Sequence, residues 1–178
     1  MRVFTKRAKA TAGAVAALTA GVLALSASPA SASGTYSGLA YVYGGGPFID
    51  DWNNEGIVDQ SHNRTSNATC LWQKILWADG ILEAGEIDGD FGPVTAAATE
   101  IWQDRYTTDT PDGSAGKITW TAAGRSLYNS DGFQSGNSPS YYQGVAHYFY
   151  VSRDSNGYYH FPDYWGDDRI AGYNYRTC

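Results

Sequence analysis

The chain has 178 residues with 12 basic and 18 acidic side chains, and four of the bases (Arg2, Lys6, Arg7, Lys9) stand in a first stretch of 32 residues that holds no acid. The remaining 146 residues carry 8 bases against 18 acids, a formal net charge of −10. That balance argues against nucleic-acid binding, which uses basic patches to displace counterions, and it disfavours anionic membranes and polyphosphates as partners. Aromatic residues reach 15% and charged residues only 17%, a composition of folded rather than disordered chains.

In chain order, residues 1–32 read as a secretory signal peptide. They have a basic start, a largely apolar run over 14–25, and the small residues Ala30, Ser31 and Ala32 before a predicted cleavage at Ser33. The apolar run is too short to span a bilayer, so no membrane association is expected after cleavage. The expected location is extracellular or cell-wall associated. Oxidising conditions outside the cell favour a bond between the two cysteines, Cys70 and Cys178. It would close a 108-residue loop, worth about 4–5 kcal/mol on the chain-entropy model.

Residues 33–66 are rich in Gly, Asn and Asp, and Leu39, Tyr41 and Tyr43 alternate before three glycines. This predicts an amino-terminal arm of one strand and a loop. Residues 67–127 hold the helical periodicity. Leu71, Trp72, Ile75 and Leu76 line one side of a first helix, with Asn67 or Thr69 as its cap and Gly80 at its end. Val94, Ala97, Ala98, Ile101 and Trp102 line a second helix that opens on Pro93. A third runs from Lys117 through Trp120 to Ala123 and closes at Gly124.

Residues 128–178 form an aromatic-rich extension that starts as a polar connector over 128–140. Strands are predicted over 145–153 and 158–161, joined by a turn containing Asn156-Gly157, the strongest short-range hairpin signal, with a third strand over 170–176. The predicted fold class is α+β: a three-helix bundle, a small antiparallel β extension and one disulfide.

Two segments echo each other. Residues 88–95 and 112–119 both spell Asp-Gly-x-x-Gly-x-x-Thr, and each precedes a helix. Asp-Gly forms a tight turn whose carboxylate accepts local backbone N–H groups while Gly takes positive φ. Thr in the first helical turn can bond back to that corner.

With these turns in place, residues 70–127 resemble the peptidoglycan-binding-like domain, a three-helix module of bacterial cell-wall enzymes. The matching residues are Trp72-Gln73 for the family's leucine-glutamine pair, Asp88 to Thr95 for its D-G-x-F-G-x-x-T turn, Trp102-Gln103 for its aromatic-glutamine pair, and Asp112 to Trp120 for its closing turn. Trp72 departs from the usual leucine, the insertion over 82–86 is acidic, and the second helix runs on through residues 104–106. The resemblance implies noncovalent binding of peptidoglycan, and a non-catalytic monomer without a cofactor is expected. Asp88, Gly89, Phe91, Gly92, Thr95, Trp102, Asp112, Gly113, Gly116, Thr119 and Trp120 are expected to shape turns or fill the core. Candidate ligand contacts are Gln73, Asp90 and Gln103 in the module and Tyr148, Tyr150, Tyr158 and Tyr159 in the extension.

The extension holds 14 aromatics within residues 126–178. In a strand, Tyr148 and Tyr150 share one face while His147, Phe149 and Val151 share the other, so one set is expected to pack inward and the other to meet ligand. No catalytic group stands out. His62, His147 and His160 lack the spacing of a zinc site, and His147 and His160 are expected to face each other across the hairpin. The acids Glu83, Glu86, Asp88 and Asp90 lack calcium-loop spacing, and no nucleophile-elbow motif is present. A small cell-wall hydrolase with its site in the extension, or a secreted protein-interaction scaffold, are the alternative readings.

Overall fold

The structure is a computed structural model that describes residues 38–178; the predicted signal peptide and its cleavage point lie outside them. Three α-helices come first: α1 (Asn67–Ala78), α2 (Pro93–Tyr106) and α3 (Lys117–Gly124). Six short strands follow in two antiparallel sheets. One has the order β1 (Leu127–Tyr128), β2 (Tyr141–Gln143), β3 (Tyr148–Tyr150), and the other β4 (Ser152–Arg153), β5 (Tyr159–Pro162), β6 (Asp168–Ile170). The class is thus α+β, with Cys70 and Cys178 joined in a disulfide.

Tryptophan supplies the centre of the core. Trp52, Trp120, Trp72 and Trp102 form a chain of edge-to-face contacts with centroid separations of 5.5, 5.4 and 5.2 Å. Large rings in this arrangement add quadrupole attraction to the area they remove from water. Trp52 also meets Tyr142 of the first sheet and Tyr159 of the second, at 6.2 and 5.2 Å. One core therefore joins helices and sheets. The segment expected as an arm contributes to it directly: Val42, Phe48, Trp52 and Val58 are fully buried, and a kinked 3-10 helix over Phe48–Asn53 packs on α3.

The expected strand near Leu39 is reduced to isolated bridges, Tyr41 with Gly172 and Tyr43 with Tyr158, and the buried residue between them is Val42. The α1 cap is Ser66, whose hydroxyl accepts from Thr69 N at 3.0 Å, in place of the expected Asn67 or Thr69. Asn67 instead grips the carboxyl-terminal tail, donating to Ile170 O and Thr177 Oγ1 and accepting from Thr177 N. The helix's first free N–H groups, on Asn67 and Ala68, go to the carbonyls of Tyr175 and Gly172. A tail that satisfies a helix amino terminus is held by hydrogen bonds as well as by the disulfide.

Three further expectations are corrected. Val94 and Ile101 of α2 are exposed, because Thr95, Ala98, Thr99, Trp102 and Gln103 face inward. The continuous strand over 145–153 is broken at Val151, which is buried and donates to Ser140 O, so β3 and β4 belong to different sheets. The Asn156-Gly157 turn does form, with Gly157 N donating to Asp154 O, and it joins β4 to β5. The third strand lies earlier than predicted, at Asp168–Ile170.

Several buried ionisable groups on this frame are shifted, among them Lys74 and Glu55. Lys74 of α1 donates to the carbonyls of Pro162 and Asp163; burial lowers its pKa to about 8 against the opposing pull of Asp163. Glu55, fully buried, accepts from Tyr43 N at 3.0 Å and Tyr173 Oη at 2.7 Å. Burial raises its pKa from 4.5 to about 8, partly offset by those two donors. A raised folded-state pKa means that the native chain keeps a proton which the unfolded chain has released. The stability Glu55 contributes is therefore complete below pH 4.5 and is lost as pH rises to about 8, by up to about 1.4 kcal/mol per pH unit. Asp51 is raised by burial as well and acts in the same direction. Urea midpoints measured from pH 5 to pH 8 should fall steadily, and Glu55→Gln should flatten the decline; equal slopes for both proteins would refute the assignment.

Candidate functional site

The echoed turns are built alike, from the glutamine on the preceding helix. Gln73 Nε2 donates to Asp88 Oδ1, Asp90 O and Thr95 Oγ1, while its Oε1 accepts from the backbone of Asp88 and Gly89. Gln103 repeats the pattern with Asp112 Oδ1, Ser114 O, Thr119 Oγ1 and the N–H groups of Asp112 and Gly113. Both amides are buried and their capacity is used. Gln73 and Gln103, expected as ligand contacts, therefore act as internal locks. Asp90 is partly exposed but holds Arg64, at 2.7 Å from Nε. Phe91, Trp102 and Trp120 are core residues.

The outer face of the first sheet is different. The register places Tyr128 beside Tyr141, Tyr141 beside Tyr150, and Gln143 beside Tyr148. Because side chains alternate along strands, Leu127, Tyr142 and Phe149 turn inward and are buried, and the tyrosine set turns outward. Tyr148 is 54% exposed and Tyr150 64%. Their rings are neighbours: Tyr128 stacks on Tyr141 at 5.6 Å, Tyr141 meets Tyr148 edge-on at 6.3 Å, and Tyr148 meets Tyr150 edge-on at 5.8 Å. Ser130, Ser140 and Gln143 join Tyr141, Tyr148 and Tyr150 in lining a shallow groove of about 380 Å³.

This face is held in place by the end of α1. Ala78 O accepts from both Ala146 N and His147 N in the β2–β3 turn. The buried Asp79 carboxylate accepts from Trp102 Nε1 at 2.7 Å, Tyr142 Oη at 2.9 Å and Val145 N at 3.1 Å. Gly144 lies so near the Ala78 backbone that no side chain fits there. His147 stacks on Trp77 at 4.4 Å. The hairpin thus completes the hydrogen bonding of a helix carboxyl terminus, and its outer rings are presented on a fixed support.

Of the predicted contacts, Tyr148 and Tyr150 lie on this face. Tyr159 does not: it is fully buried and donates to Asp51 Oδ2 at 2.5 Å. Tyr158 stacks on Tyr41 at 4.3 Å in a separate cluster with Tyr175. Tyr128 falls in the segment that reads as a connector, and Tyr141 and Gln143 precede the extension's first predicted strand at 145–153, although the alternation in Tyr141-Tyr142-Gln143 carries a strand signal. The histidines do not face one another. His147 is on the β2–β3 turn, while His160 pairs in register with Ser152 and bonds Asp168 at 2.7 Å. His62 bonds Asp59. Among the described residues, no group of three or more His, Cys, Asp or Glu side chains is placed to hold a metal ion, and no helix is long and apolar enough to cross a membrane.

Comparison with known protein families, with curated proteins and with solved structures finds no match.

Proposed function

We propose that this protein is an exported, non-catalytic binder of cell-wall peptidoglycan, with its helices forming a peptidoglycan-binding-like bundle and its sheet tyrosines meeting the ligand. The observation that carries the reading is the supported row of Tyr128, Tyr141, Tyr148 and Tyr150. Tyrosine offers an apolar ring on which the C–H face of a sugar can lie and a hydroxyl that bonds sugar oxygens. Four such rings on one rigid face lose little conformational entropy on binding. The duplicated glutamine-locked corners add to the case, because they are built from the residues on which the family resemblance rests.

The test is co-sedimentation with purified sacculi at two salt concentrations, with turbidity followed in parallel. The protein should pellet at both salts while turbidity stays constant. The double variant Tyr148→Ala/Tyr150→Ala should bind about fivefold to a hundredfold more weakly, as two lost stacking contacts of about 0.5–1.5 kcal/mol each imply. Its urea midpoint should be nearly unchanged, since both rings are exposed. Release of soluble muropeptides would make the protein a hydrolase, and undiminished binding by the variant would remove the tyrosine face from the mechanism.

A further inference from the structure

The tyrosine groove does not end at Tyr150. Ser140 and Tyr150 also line a second groove of about 330 Å³, which continues over Ser152, His160 and Asp168. Pro139 and Ser152 in turn line a third groove, of about 460 Å³, bounded by Tyr43, Asn137 and Asn156. The three form one track along the outer side of residues 148–154, where the chain passes from one sheet to the other. At about 3.3 Å per residue that path is at most about 20 Å, several pyranose rings long.

Charge along the track is specific. The first groove has no ionisable side chain other than tyrosine. In the second, His160 is held by Asp168 through Nδ1, while its Nε2 has no hydrogen-bond partner and lies 3.9 Å from Asp154 Oδ2. In the third, the Arg153 guanidinium is consumed by Asp51 and by the carbonyls of Gly46 and Asn137. An incoming carboxylate thus meets acids and a neutralised arginine, whereas hydroxyl and acetamido groups meet Ser, Asn, Gln and tyrosine hydroxyls.

We infer that the track binds the sugar strand of its polymer, as a neutral N-acetylated polysaccharide several residues long, and not the carboxylate-bearing peptides attached to it. This rests on the proposed peptidoglycan binding and names the part of the polymer recognised.

The experiment titrates the purified protein with N-acetylglucosamine oligomers of two, four and six sugars, and separately with a free stem peptide, by calorimetry. Affinity should rise at least tenfold from dimer to hexamer, with no binding of the peptide. Ser152 is exposed and joins the second and third grooves, so Ser152→Phe should block the track without burying the new ring. It should reduce hexamer affinity about tenfold and leave the dimer unaffected. Equal affinity at every length, hexamer binding indifferent to Ser152→Phe, or binding of the peptide alone would overturn the inference. Sacculus binding without oligomer binding would refute it and leave the broader reading standing. Length-dependent oligomer binding without sacculus binding would uphold the track and reject peptidoglycan as the polymer.

Discussion

Asp79→Ala should lower stability by about 3–5 kcal/mol and weaken sacculus binding together. The carboxylate is the common acceptor for Trp102 Nε1, Tyr142 Oη and Val145 N, donors from α2, β2 and the β2–β3 turn. Two of those donors belong to buried side chains, and each unpaired buried donor costs about 1–3 kcal/mol. Asp79→Asn keeps the shape and one carbonyl acceptor and should lose only about 1–2 kcal/mol. Urea midpoints rank the three proteins, and amide exchange should accelerate at residues 144–148 in the alanine variant before global unfolding. An unchanged midpoint for Asp79→Ala would show that the hairpin is held by Ala78 O and packing alone.

The second large effect separates the two echoed turns. Gly89 and Gly113 both have φ of +71°, so alanine at either meets the same left-handed penalty of about 1–2 kcal/mol. Their surroundings differ. A Cβ on Gly89 would stand 2.5 Å from Cys70 Sγ, 2.7 Å from Cys178 Sγ and 2.8 Å from Arg176 Cδ. On Gly113 its nearest contacts are at 3.2 Å, to Ala96 O and a Glu100 oxygen on α2. Gly113→Ala should cost about 1–2 kcal/mol, whereas Gly89→Ala should cost about 4 kcal/mol or more and impair oxidative folding, because the new methyl occupies the space where the two sulfurs meet. Secreted yield, free-thiol content and urea midpoint would distinguish the pair. Equal losses would mean that the tail moves aside without cost.

The helices were legible in the sequence because their signals are local. Pro93 opens α2 and Gly124 closes α3, and the Asp-Gly-x-x-Gly-x-x-Thr echo marks two corners that the structure builds with matching hydrogen bonds. The Cys70–Cys178 bond followed from there being two cysteines in a chain read as exported. The alternation around residue 149 likewise separated exposed Tyr148 and Tyr150 from buried Phe149.

Long-range partners decided the rest. Whether a glutamine beside a tryptophan meets ligand or locks a turn depends on backbone groups 15 and 16 residues away for Gln73, which no periodicity records. Tyr158 and Tyr159 are adjacent tyrosines, yet one stacks near the surface and the other is sealed against Trp52 and Asp51. The break at Val151 sends one apparent strand into two sheets and thereby creates the track beside it. Composition and local pattern determined the three α-helical segments and which residues could make corners, since those depend on neighbours in sequence. The sorting of one tyrosine from another needed the tertiary structure, because burial is set by what the chain brings against each ring.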